Sequence, residues 1–269
     1  MNLERNPAPE RALSLQLFGD VRLDFHGNPQ FIGGPQHRAL LAMLVLSGDK
    51  PLPSADIVAG LWGDEPPKAC RQYVRNLITA IRKSLAHTGI VISFHGGYVL
   101  ELPEDTAVDY YRVSQLARWA AAAASRHIAL RLSTRALELS RVGIALNTDV
   151  PFARRLRGHW RRQRELILEN KLTLLVMLGR GRDARDELSD LARDHPFQER
   201  LHTLLMLALV QSNQPLEAEL VYVRFKQRLQ DAKGLAPSPE LLRLYRRIWV
   251  ADSSPEELFE HVAQPEPIG

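Results

Sequence analysis

Residues 66–85 read PPKACRQYVRNLITAIRKSL, with five Lys or Arg and no Asp or Glu. Turning each residue by the ~100° of an α-helix sorts the stretch into two arcs. Cys70, Tyr73, Val74, Leu77, Ile78, Ile81 and Leu85 fall on one arc, wide enough to dock on a core. Lys68, Arg71, Gln72, Arg75, Asn76, Thr79, Arg82 and Lys83 fall on the other. Cations mixed with Gln, Asn and Thr are the side chains that hold phosphates and read base edges in a major groove. Ordinary surface helices mix charge signs, because i,i+4 Glu–Lys pairs support them. Here no acid occurs from Ala69 to Leu100. Taken alone, the helix also suits a solvated face, the usual reading of a charge-rich helix, or a membrane-surface helix or a target helix for a partner.

Its neighbours narrow that choice. LSLQLFGDVRLDFHGNPQFI (13–32) alternates apolar and polar residues, with turns at Gly19-Asp20 and Gly27-Asn28-Pro29, and predicts a small antiparallel sheet. PQHRALLAMLVLSG (35–48) follows as a helix, Pro35 suiting its first turn and Gly48 its end. Ser54 is placed to cap a short helix, SADIVAGLW (54–62), before the break at Gly63–Pro67. After the cationic helix, IVISFHGGYVLEL (90–102) has two apolar segments about Gly96-Gly97, a hairpin. Sheet, three helices and hairpin in that order describe a winged helix-turn-helix. The cationic helix takes the recognition position and the hairpin is the wing. In this reading Arg71, Arg75, Arg82, Lys68 and Lys83 attract phosphates, and one or two of the arginines read guanine. Gln72, Asn76 and Thr79 face base edges, and the wing tip, His95–Gly97, reaches the adjacent backbone or minor groove.

From about Val108 the pattern is helical throughout. The turns in LGRGRDARDELSDLARDHP (178–196) and SNQPLEAELVYVRFKQRLQDAKGLAPSP (212–239) begin at Gly179 and Asn213, 34 positions apart. That is the period of tetratricopeptide hairpins, which stack to bury faces that one pair cannot bury alone. The fold class expected is therefore mainly α with a small β component. An N-terminal winged helix-turn-helix at 12–103 precedes an all-α tetratricopeptide-like domain at 108–250, with flexible tails at 1–11 and 251–269.

Composition fits this organisation. The chain has 269 residues, 45% hydrophobic and 25% charged, as a soluble two-domain protein would. The net charge is +4. Residues 1–103 hold ten Lys/Arg against nine Asp/Glu, and 109–250 hold 25 against 15. PFARRLRGHWRRQREL (151–166) carries Arg154, Arg155, Arg157, Arg161, Arg162 and Arg164, which read either as a solvated face or as a surface for phosphates or an acidic partner. The N-terminus lacks a signal-peptide core, no apolar run is long enough to span a membrane, and the one cysteine, Cys70, falls on the apolar arc. These point to the cytoplasm, with no membrane partner and no disulfide. No HExxH, GxSxG, GxGxxG or Cys/His metal cluster occurs, so neither an enzyme, a cofactor nor a metal is expected. Asp183, Asp186, Glu187 and Asp190 lie amid arginines at a spacing that suits exposed ion pairs.

Several of these segments together resemble the Streptomyces antibiotic regulatory proteins. GGPQHRALLAMLVLSGDKPLPSADIVAGLWGDEPPKA (33–69), LITAIRKSL (77–85) and FHGGYVLEL (94–102) resemble that family's N-terminal domain, a response-regulator-type winged helix. AVDYYRVSQLA (107–117), DVPFARRLR (149–157), HPFQERLHTLLMLALVQSNQPLEAELVYVR (195–224) and GLAPSPELLRL (234–244) resemble its all-helical bacterial transcriptional activator domain. The resemblance covers roughly 12–250. It departs at His37, where the family usually has Gln, and at Ala80, usually basic or polar; both bear on operator choice. The turn after Ala124 and Ser140, in place of a usual Trp, are local departures. The resemblance implies a transcription activator bound as two protomers to direct repeats near a promoter's −35 region. It also implies recruitment of RNA polymerase through the sigma and alpha subunits, and control of an antibiotic or other secondary-metabolite gene cluster. Without a GxxxxGK[ST] phosphate loop, a small, ATP-independent member is expected. A different class of function stays open: a helical-repeat scaffold whose basic surfaces bind acidic protein partners. Preference for one DNA sequence over shuffled DNA separates the two.

Overall fold

The computed structural model describes residues 13–248; the tails expected at 1–11 and 251–269 lie outside the described residues. Packing divides the chain into two compact units. Among the described residues, one comprises 13–115 together with Ala136–Arg164, and the other comprises Leu116–Arg135 and 165–248. The packing thus cuts across the sequence boundary at 108, because a stretch of the helical half joins the N-terminal unit.

The first unit opens with β1 (Leu13–Gln16), β2 (Arg22–Phe25) and β3 (Asn28–Gln30), antiparallel as the alternation predicts. Leu13, Leu15 and Leu23 point to the core. A fourth strand, β6 (Ala107–Val108), lies parallel to β1 with Leu15 opposite Val108, giving the order β3-β2-β1-β6. Two residues are too few to show a period of two, so this strand has no sequence signature. Asp109 fastens the same edge: its carboxylate accepts the Leu17 and Phe18 amides at 2.8 and 3.0 Å. Burial pushes that carboxyl above its usual range, although the amide donors pull the other way. Farther along, the Gly19 amide donates to Gly143 and the Ala145 amide donates to Gly19, tying Gly143–Ala145 to the sheet end.

Three helices follow: α1 (Pro35–Ser47), α2 (Ser54–Trp62) and α3 (Cys70–Leu85). Pro35 stands in the first turn of α1 and Gly48 closes it. In α2 the cap differs from expectation: Pro53 is the N-cap, Ser54 is already helical, and no side chain caps the end. α1 buries an unbroken run, Ala39–Val45, and is the centre of the unit. Gly60 lets α2 approach it, since a Cβ there would run into the Met43 side chain. The wing is β4 (Val91–Phe94) paired with β5 (Tyr98–Glu101), Phe94 opposite Tyr98.

The remaining helices are α4 (Asp109–Ala122), α5 (Arg126–Leu139), α6 (Pro151–Met177), α7 (Gly181–Asp194), α8 (Glu199–Gln211), α9 (Pro215–Lys233) and α10 (Pro239–Ile248). In the second unit α7, α8 and α9 pack as successive antiparallel neighbours around α8, which is buried from Leu201 to Leu209. The turns at Gly179 and Asn213 take left-handed φ of 73° and 61°, so the 34-residue period is a repeat of backbone conformation. Gly181 lies close against α8; a Cβ there would sit 2.7 Å from Ala208 Cα. Ser140 is fully buried, its hydroxyl donating to the Ala136 carbonyl at 2.7 Å.

Candidate nucleic-acid interface

α3 owes its placement to five apolar side chains. Val74, Leu77, Ile78, Ile81 and Leu85 are buried, against α1 and α2. Two members of the predicted apolar arc do not join them: Cys70 is partly buried, and Tyr73 is 51% exposed, packed edge-on to Trp62. Both stand on the first turn, where the helix outruns its supports. Lys68 lies in the turn before the helix and is exposed, so it belongs to the approach to α3 rather than to its face.

Arg71, Gln72, Arg75, Asn76, Thr79, Arg82 and Lys83 are all exposed on α3, as the helical spacing requires. They are not equivalent. The side chains of Lys68, Arg71, Arg75 and Lys83 have no hydrogen-bond or ion-pair partner among the described residues. Gln72 donates to Asn76 at 3.0 Å, one turn along, and Thr79 donates to the Arg75 carbonyl at 2.8 Å. The amide pair is pre-oriented on the surface, which lowers the entropy lost when it meets a ligand. Arg82 is committed elsewhere: Nε and Nη2 donate to the Ile92 carbonyl at 3.0 and 2.6 Å, strapping β4 to the end of α3.

The predicted wing residues also separate. His95 and Gly96 are exposed at the tip, Gly96 with φ of 74°, and the His95 amide donates to the Gly97 carbonyl at 2.8 Å. Gly97 is buried. A Cβ on it would stand 2.8 Å from the carbonyl of Leu52, so Gly97 serves close backbone approach. Leu52 and Tyr98 exchange both amide bonds, at 2.9 Å each, so the loop between α1 and α2 acts as a third strand of the wing. Sequence reading missed Leu52, whose partner is far along the chain. It also missed Phe94, 57% exposed beside the tip and edge-on to Tyr98; its place one residue before His95 is the only hint.

The surface is electropositive for a plain reason: the stretch without acids, 69–100, includes the whole of α3, so its exposed face carries cations and no carboxylate. The exposed Asp64 and Glu65 stop short of the helix. Four of the five acidic residues of α7 have their own cations: Arg180 with Asp183, Arg185 with Asp186, Lys171 with Glu187 and Arg193 with Asp190, at 2.7–3.1 Å. Among the described residues no helix is long and apolar enough to cross a membrane.

A helix-turn-helix with a strapped wing and a free cationic helix face, joined to helical hairpins of 34-residue period, defines a winged-helix regulator class of protein. Residues 108–249 match the bacterial transcriptional activator domain. The chain belongs to the Streptomyces antibiotic regulatory protein family. It is 35% identical over 268 residues to the regulatory protein AfsR of Streptomyces coelicolor, covering 96% of this chain and 26% of that protein. It is 30% identical over 248 residues to the transcriptional regulatory protein EmbR of Mycobacterium tuberculosis, covering 89% of this chain and 64% of that one. The regulatory protein DnrI of Streptomyces peucetius is 28% identical over 231 residues, covering 80% and 84%. The chain thus spans about a quarter of the length of the AfsR proteins it matches. The solved structure of M. tuberculosis EmbR in complex with a low-affinity phosphopeptide superposes with a TM-score of 0.76 at 29% identity, over 89% of this chain and 65% of that one.

Proposed function

We propose that the protein is a sequence-specific DNA-binding transcription activator. α3 enters the major groove. Arg71, Arg75, Lys68 and Lys83 hold phosphates or guanine edges, while Gln72, Asn76 and Thr79 face bases. Arg82 acts at one remove, holding the wing so that His95 and Gly96 reach the neighbouring backbone. The observation that carries this reading is the exposed, acid-free face of α3, whose arginines at 71 and 75 are left without internal partners. Membership of the family supports the rest: two protomers side by side on direct repeats near the −35 region, RNA polymerase recruited through its sigma and alpha subunits, and control of an antibiotic or secondary-metabolite gene cluster.

The test is selection of bound duplexes from a random pool by the full chain at two salt concentrations. A repeated motif, with repeats about one helical turn apart, is expected. Weak binding without enrichment, lost at moderate salt, would leave the cationic face as a general polyanion surface and favour a scaffold that binds acidic proteins.

A further inference from the structure

The six arginines of the first half of α6 do not form one patch. Asp149 holds two of them, Arg154 at 2.8 Å and Arg157 at 3.3 Å, and Arg157 also donates to the carbonyls of Ala145 and Thr148. These two fasten the loop that enters the helix. Arg164 is partly buried. Arg155, His159 and Arg162 remain, exposed at spacings of four and three residues and so on one line of the helix, with Arg161 beside them. None of the four has an acidic partner among the described residues.

Gly158 lies on the same side of the helix and is half-buried. A glycine inside a helix is disfavoured relative to alanine. Packing does not require it: a Cβ there would meet only Arg162 Nη1, at 3.7 Å. The space that a side chain would fill is therefore left open beside the cationic line, where a phosphate backbone can approach. No large apolar side chain is exposed between Pro151 and Arg164. Protein partners are anchored by buried aromatic or aliphatic groups, whereas phosphate contacts need only cations. The line also starts beside the helix-turn-helix. Pro151 Cγ lies 3.3 Å from where a Gly63 Cβ would be, and Phe152 Cβ lies 3.5 Å from that of Gly60, both at the end of α2 where the chain turns into α3.

We propose that Arg155, His159 and Arg162, around the bare backbone of Gly158, grip the phosphate backbone of DNA flanking the site that α3 reads. This rests on the DNA-binding reading of α3 and adds a second, sequence-independent contact from the helical half of the chain. Seven residues of helix span about 10 Å, which is roughly three phosphates of rise along one strand.

The test uses the full chain with the selected site in a long duplex and in one trimmed of its flanks. Wild type is compared with Arg155→Glu/Arg162→Glu and with Gly158→Glu, which places an acid in open space and a better helix former in the helix. Gly158→Ala is the uncharged control. On the long duplex the double variant is expected to bind selected and shuffled DNA about tenfold more weakly. Its salt slope should be shallower by about two units, one per lost phosphate contact. Gly158→Glu should move the same way with its circular dichroism unchanged. On the trimmed duplex wild type should fall to the level of the variants. Unchanged affinity and slope, with wild type still preferring its selected sequence, would overturn this contact and leave the reading of α3 standing. So would a loss confined to transcription, which would assign the line to an acidic protein. Failure of wild type to prefer any sequence would overturn both.

Discussion

Arg75 and Arg82 share a helix, a charge and exposure, yet their surroundings give them different tasks. Arg82 donates both its Nε and an Nη to one carbonyl of the wing. Its removal would act through wing position, so its loss alone cannot identify a base contact. Arg75 is the cleaner probe. Its guanidinium has no internal partner, and its own carbonyl is already satisfied by Thr79. Arg75→Ala should leave folding unchanged, since exposed substitutions away from special features stay within about 0.5 kcal/mol. If Arg75 reads guanine through two hydrogen bonds, specific affinity should fall by about 1–3 kcal/mol, with relaxed preference at one base pair. If it touches phosphate alone, selected and shuffled duplexes should weaken together and the salt slope should lose about one unit. Titrations of both duplexes at several salt concentrations separate these cases. Unchanged binding to both would remove Arg75 from the interface.

At the scale of elements, the wing depends on a close approach that no local pattern announces. Gly97 places its backbone against Leu52, and the Leu52–Tyr98 amide pair adds the Leu52 segment to the hairpin as a third strand. Gly97→Ala would set a Cβ 2.8 Å from the Leu52 carbonyl, against backbone that cannot rotate away. We expect a loss of about 1–3 kcal/mol, as for other overpacked sites, with faster amide exchange at Leu52 and Tyr98. A variant as stable as wild type, with both amides still protected, would show that the approach is not tight. The same example marks what the sequence discloses. α3 was legible because its arcs separate cleanly over sixteen residues, and the turns at Gly179 and Asn213 because each demands a special backbone conformation. β6, the Leu52 bridge and the attachment of Gly143–Ala145 to Gly19 were not, because each is a short pairing between distant segments, set by tertiary contact. The Ser54 cap and the burial of Tyr73 failed for a related reason: propensity and periodicity place a residue on a helix but not against a neighbour.

At the scale of the whole molecule, both units carry a histidine whose burial disfavours the charged ring. In the first, burial pushes the partly buried His37 below its ordinary range. In the second, His202 lies in the core with its ring 4.5 Å from that of Phe225, and its Nε2 has no hydrogen-bond partner. Burial is the main cause of its lowered pKa. Arg228 adds to it, while a bond to the Pro196 backbone and the charge of Glu199 oppose it. The sign follows from linkage. The unfolded chain takes up a proton as pH falls through about 6.5, the ordinary value for His, while the folded chain resists until a lower pH. Stability contributed by the neutral ring is therefore complete above about 6.5 and is lost as pH falls through the folded value, with a slope of at most about 1.4 kcal/mol per pH unit for one group. His202, being almost fully buried, should dominate; His37 should add less because water still reaches it. Thermal unfolding of the full chain should shift to lower temperature between pH 7.5 and pH 5, and His202→Leu should flatten most of that shift whatever its effect at neutral pH. An equally steep dependence in His202→Leu would trace the acid sensitivity to other groups and remove His202 as its source.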